Sequence, residues 1–218
     1  MMKLIFLCIL FAVLSCKDLS LKNNVNEPTV YSKIDSTKSK DTLSIGLPNN
    51  LKEFISKTGD LWLQSWTKNE PNFNLNDFSQ EFKKSFSYEW EDYNRDSFVT
   101  LDEFTKESKF GWTVDLYSYH TVIESVQNIS FGVDQKVYIY TDNQIMDFLT
   151  LGSDESIEDA FWLNDGKKLV LLGYYNDGKI KPIIWWFDFT KKEEVRYINS
   201  SISAPERNPF IVDYLINR

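Results

Sequence analysis

Lys168-Leu169-Val170-Leu171-Leu172-Gly173-Tyr174-Tyr175 and Ile183-Ile184-Trp185-Trp186-Phe187-Asp188-Phe189 lie on either side of Asn176-Asp177-Gly178. Asn-Asp-Gly is a tight-turn signal, because glycine supplies the positive φ that short hairpin turns need. The two flanks therefore predict an antiparallel pair. Successive strand residues point to opposite faces. Ile183, Trp185, Phe187 and Phe189 then share one face, and Ile184, Trp186 and Asp188 the other. Leu169 and Leu171 oppose Val170 and Leu172 in the same way. A sheet with one wet face alternates apolar and polar residues. This pair does not, so it is expected to be covered on both sides.

Working outward, short apolar runs separated by turns predict strands near 112–117, 119–126, 136–141, 145–151, 157–163, 168–175, 183–189 and 195–198. A second hairpin signal, Asn164-Asp165-Gly166, joins the fifth and sixth. Val137-Tyr138-Ile139-Tyr140-Thr141-Asp142 is echoed by Ile184-Trp185-Trp186-Phe187-Asp188, which suggests two similar four-stranded units. The run Phe161-Trp162-Leu163-Asn164-Asp165-Gly166-Lys167-Lys168-Leu169, with Trp186-Phe187-Asp188, is similar to a β-propeller blade, a resemblance spanning 157–198. Two such units are too few to close a propeller. The expected fold class is therefore α+β, with N-terminal helices packed on an antiparallel β-meander of about eight strands in two four-stranded units.

The helical layer is expected over 50–110 and the β region over 111–218, together forming one globular domain. Asn50 with Glu53 reads as an N-terminal cap, Leu51, Phe54 and Ile55 as one face, and Gly59 as a stop. Leu61, Trp62, Leu63 and Trp66 fit either a strand or a further helical turn. Asn76 followed by Phe78, Phe82, Phe86 and Trp90, spaced every four residues, predicts a second helix with an aromatic stripe.

The N-terminus carries an address. Lys3 precedes an apolar run from Leu4 to Leu14 that ends in Val13-Leu14-Ser15-Cys16. The run is too short to span a bilayer core, which takes ~20 residues, and suits a signal peptide over 1–15. With Ser15 before Cys16, it resembles the lipobox of bacterial lipoproteins. That resemblance implies cleavage before Cys16 and lipidation there, giving attachment to a membrane through acyl chains such as palmitate. Lys17 is not the aspartate associated with inner-membrane retention, so the expected location is the outer membrane of a Gram-negative bacterium, facing the periplasm or the surface. Residues 16–49 are polar and aperiodic, and read as a lipidated flexible tether.

The chain has 218 residues and a formal charge of −8, which argues against nucleic acid as a partner. Its only cysteines are Cys8 and Cys16, and the lipobox reading leaves no free thiol for catalysis. One stretch has metal-ligand spacing. Asp92, Asn94 and Asp96, the carbonyl of Phe98, and Glu103 stand at positions 1, 3, 5, 7 and 12 of what resembles an EF-hand loop. Ser97 replaces its turn glycine, and the alternative is an acidic turn between helix and sheet. No cofactor is otherwise expected; calcium is the ion this loop would take.

His120 is the sole histidine, and no Gly-x-Ser-x-Gly elbow accompanies it. Asp154, Glu155, Glu158 and Asp159 would supply carboxylates to a glycan hydrolase. Trp185 and Trp186 are the candidate ligand platform if one face of their strand is open. The expected function is a membrane-anchored envelope lipoprotein, not an enzyme, whose domain binds a protein, glycan or other ligand. The alternatives are a glycan-acting hydrolase and a calcium-stabilised structural module.

Overall fold

The computed structural model describes residues 45–94, 105–119, 121–125, 128–207 and 210. They belong to one compact unit, Thr42–Arg218. Two helices come first, α1 (Asn49–Thr58) and α2 (Asp60–Asn69). Helix α1 begins after Pro48, whose carbonyl accepts from the Leu51 and Lys52 amides, so Asn50 lies inside the helix and does not cap it. Gly59 separates the helices. A Cβ there would come within 3.0 Å of Leu172 Cδ1 and 3.1 Å of the Ile55 carbonyl oxygen, so glycine lets this corner sit against the sheet without displacing either.

Twelve strands follow among the described residues: β1 (Phe78–Ser85), β2 (Glu91–Asp92), β3 (Thr105–Glu107), β4 (Thr113–Asp115), β5 (Thr121–Ser125), β6 (Asn128–Phe131), β7 (Gln135–Tyr140), β8 (Gln144–Leu151), β9 (Glu155–Trp162), β10 (Lys168–Asn176), β11 (Ile180–Asp188) and β12 (Glu193–Asn199). The chain is thus mostly antiparallel sheet with two helices near its N-terminal side. Sheet A has the order β1-β12-β11-β10-β9, sheet B the order β2-β8-β7-β4-β3, and β5-β6 forms a separate hairpin.

The expected second unit is present as the meander β9 to β12, with β1 added at its edge. The expected first unit is not a four-stranded meander. Its β4, β7 and β8 gain β2 and β3, and β5 turns away to pair with β6.

The largest departure is β1. Residues 78–85 form a strand where the sequence pattern predicted a helix, and the 50–110 segment is only partly helical. A spacing of four is an even number, so it satisfies the two-residue strand period as well as the helical one. Asn74 caps a short 3-10 turn at Leu75–Asp77, and Asn76 accepts from Lys52 Nζ at 2.8 Å. The aromatic stripe is also split. Gln80 faces Tyr197 and Phe82 faces Arg196, which leaves Glu81 as the extra residue of a β-bulge. Phe78 consequently packs toward the helices, and Phe86 toward sheet B.

Sheet A is the middle layer. On one side Leu169, Leu171, Ile183, Trp185 and Phe187 meet Val114, Val137, Ile139 and Met146 of sheet B. On the other, Val170, Leu172, Ile184 and Trp186 meet Leu51, Ile55, Trp62 and Trp66 of the helices. The doubly apolar hairpin is therefore covered on both faces, and burial of each large side chain contributes about 1.5–3 kcal/mol. Gly166 and Gly178 take the positive φ values, 62° and 94°, that the two Asn-Asp-Gly turns require.

Of the segment expected to tether the domain, residues 45–48 are described, and they dock on β1. Gly46 bridges Ser79, the Gln80 amide donates to the Ile45 carbonyl at 2.7 Å, and Leu47 is buried.

Candidate functional site

The densest buried polar chemistry lies at a second bulge, on β9. Leu172 pairs with Asp159 and Gly173 with Ile157, so Glu158 is the extra residue. Opposite it, a Cβ on Gly173 would stand 2.0 Å from the Ser156 carbonyl oxygen, which admits only glycine at this strand position.

The bulge aims Glu158 at α2. Its carboxylate accepts from Trp62 Nε1 at 2.9 Å, from Arg207 Nε at 2.7 Å and from Arg207 Nη2 at 2.9 Å. Arg207 Nη2 also donates to Ser65 Oγ at 2.7 Å, and the guanidinium lies 4.0 Å over the Trp66 ring. The side chains of Arg207 and Glu158 are 4% and 3% exposed, so this is a dry, bidentate ion pair. Tyr117 donates its hydroxyl to the Glu158 carbonyl; burial, followed by the Glu158 charge, holds its pKa well above the usual phenol value. Burial pushes the neighbouring Asp159 up to about 6, with Lys106 and the Ala160 amide acting in the opposite direction.

Beside the bulge is a cleft of about 170 Å³ lined by Phe131, Val133, Gln135, Ser156, Tyr174 and Phe210, among others. Gln135 shapes it. Its Nε2 donates to the Leu116 carbonyl at 3.0 Å and to the Ile157 carbonyl at 2.8 Å, while Oε1 accepts from the Ile157 amide at 2.7 Å. One amide side chain thus ties the loop after β4 to β9. Much of the wall is apolar, and Val133 is 79% exposed at the rim. Such a cleft can hold a small apolar group against side chains already fixed by their own hydrogen bonds.

The sequence-predicted residues do not converge on this place. Cys16, Asp96, Phe98, Glu103 and His120 lie outside the described residues. Asp92 is an exposed residue of β2 paired with Gln144, and Asn94 is exposed two residues later. The helix expected to enter the acidic loop is replaced by the strand β1 and the short β2. Among the described residues, no group of three or more His, Cys, Asp or Glu side chains is placed to hold a metal ion.

Trp185 and Trp186 cannot form one platform. Trp185 is 2% exposed inside the sheet–sheet core, with Arg196 5.6 Å over its ring, and Trp186 is half-buried on the helix side. Trp112 and Trp162 join Trp90 and Phe189 in an edge-on aromatic cluster, with ring centroids 5.2–6.1 Å apart. The β9 acids are dispersed: Asp154 is in the turn before the strand, Glu155 binds Arg196, Glu158 binds Arg207, and Asp159 lies beside Lys106.

Arg207 and Gln135 carried no local signal, since their partners are 49 and 22 residues away. Gly173 inside an apolar strand did carry one, because glycine in a strand interior marks a bulge. In comparisons with protein-family models, with curated proteins and with solved structures, the chain matches none.

Proposed function

We propose that this chain is an envelope lipoprotein, held by lipid on Cys16 at the outer membrane of a Gram-negative bacterium, whose domain binds a ligand or partner and does not transform it. The anchor rests on the apolar run ending at Ser15-Cys16. The binding role rests chiefly on one observation. Two carboxylates of the acidic β9 cluster are each held by an arginine, Glu155 by Arg196 and Glu158 by Arg207. A carboxylate committed to a guanidinium is not free to exchange a proton with a substrate. Those two carboxylates therefore serve the fold, Asp159 stands on the helix side of sheet A, and the open surfaces are left to recognition.

Metabolic labelling with a tagged fatty acid tests the anchor. Label is expected on wild type and absent from Cys16→Ala; equal label on both rejects it. Incubating the purified full chain with envelope glycans and peptides tests the role. A raised melting temperature with the ligand recovered intact by mass spectrometry is expected. Cleaved product that disappears in Glu158→Gln or Asp159→Asn would make the protein a hydrolase.

A further inference from the structure

The geometry points to a binding site for a neutral carbohydrate in the groove between the β3–β4 and β7–β8 turns, on the outer face of sheet B. This inference rests on the binding role proposed above and supplies its ligand class. The groove encloses about 460 Å³.

Its floor follows from the register. Thr113 pairs with Glu107 on one side and with Tyr140 on the other, which places the three side by side across three strands. Thr105, two residues from Glu107, shares their face. Val114 and Ile139, the immediate neighbours of Thr113 and Tyr140, point into the sheet–sheet core, so this face is the outer one.

Both rims are fixed before any ligand arrives. In the β3–β4 turn, Ser108 Oγ accepts from the amides of Phe110 at 3.3 Å and Trp112 at 3.1 Å, and Gly111 takes φ +73°. In the β7–β8 turn, the Thr141 amide donates to the Gln144 carbonyl at 2.8 Å. The Asn143 carbonyl accepts from the Tyr93 amide at 2.9 Å. These turns hold Phe110 on one rim and Asp142 with Asn143 on the other.

Phe110 is 54% exposed, yet its ring is seated. It lies so close to Gly166 that a Cβ there would be 2.6 Å from Phe110 Cδ2. A ring held in place and open to solvent is a stacking surface obtained at little entropic cost.

The charges select the ligand. Glu107 and Asp142 in the lining disfavour an anion. The ammonium groups of Lys109 and Lys167, 5.6 and 5.3 Å from the Phe110 centroid, repel a further cation at the ring, Lys167 lying nearer still to Trp112 at 4.2 Å. What remains is a neutral molecule with one apolar face and many hydroxyls, and a pyranose has both. Carboxylates accept from such hydroxyls, and the Asn143 amide and the threonine hydroxyls both accept and donate.

The test is saturation-transfer NMR and calorimetry on the full chain in detergent. The probes are glucose, galactose, mannose, N-acetylglucosamine and their β-linked disaccharides. At least one should bind, with affinity reduced about tenfold or more in Phe110→Ala and several-fold in Asp142→Asn. Binding should be unchanged in Val133→Asp, which alters the cleft beside the β9 bulge.

Failure of every probe to bind, or equal binding by wild type and both groove variants, overturns the site while the binding role itself stands. Tighter binding of a lysine-rich tripeptide than of any sugar also overturns it and makes the groove a peptide site. A sugar that binds through Phe110 and is then cleaved upholds the site and defeats the non-enzymatic reading.

Discussion

The two faces of sheet A are closed in different ways. Toward sheet B the centre of the fill is hydrocarbon and aromatic, with Phe148 4.7 Å from Phe187 and Phe86 5.4 Å from Phe189 at ring centroids, and Arg196, over Trp185, is bound to Glu155. Toward the helices the apolar fill is interrupted by Glu158, Arg207, Ser65 and the Trp62 indole nitrogen. Two pleated sheets present matching alternations and interdigitate. Two ten-residue helices are too few to fill the face of a five-stranded sheet, and Ile202, Ala204 and Phe210 join the cluster on their side. At the margin of that face the β9 bulge and Arg207, arriving from beyond β12, fill the space with a charge pair. Ring packing dominates one side, and the driest charge pair, Glu158 with Arg207, is built into the other.

The sharpest way to break this contrast is to remove one charge. Arg207→Ala leaves Glu158 buried without its cation, and unfolding in urea is expected to lose about 3–5 kcal/mol. Replacing both members with leucine or methionine should restore most of that loss. A single-variant cost below about 1 kcal/mol would mean the pair is not dry.

Next comes the apolar side. Trp185→Ala should cost about 3–5 kcal/mol, as truncation in a packed core does. Trp186→Ala should cost less, because its ring is only half-buried. Equal losses in denaturant would show that the helix face is as tightly filled as the sheet face.

A third change, Gly173→Ala, forces the Ser156 carbonyl aside and is expected to cost about 1–3 kcal/mol. Full stability of that variant would show that the bulge relaxes freely.

The last effect runs the other way. Asp159 pairs across from Leu172 and so faces the helices. Its pKa is about 6 in the folded chain, against an ordinary 3.8. Between those values the folded state retains a proton that the unfolded state has released. Stability is therefore lost as pH rises from about 4 through about 6, and is flat above. Asp159→Asn should recover about 1–3 kcal/mol at pH 7.5 and nothing at pH 3. A variant no more stable than wild type at pH 7.5 would place Asp159 in water.

Much of this architecture was legible because alternation and glycine turns are local. The β10–β11 hairpin, its two apolar faces and both Asn-Asp-Gly turns follow directly from residue order. Strand β1 was not legible, because Phe78, Phe82 and Phe86 satisfy two periods at once and the bulge at Glu81 that reassigns them has no local mark. The Glu158–Arg207 pair was hidden for another reason: only folding brings the two together. The groove was equally hidden. Phe110 looks like any loop aromatic until Gly166, from a distant turn, is found beneath it.

The docking of residues 45–47 along β1 bears on how this sheet behaves in company. An unpaired strand border is a template on which another polypeptide can nucleate. Here the first half of β1's border is already occupied by Ile45 and Leu47 backbone hydrogen bonds. Its second half displays Lys83 and Lys84. At the opposite border, β9 is bulged and is tied to β3 by the Trp162 indole, which donates to the Lys106 carbonyl at 2.9 Å. Each border of sheet A is thus occupied, charged or bent, which is how a strand-rich molecule stays dispersed when copies of itself crowd around it.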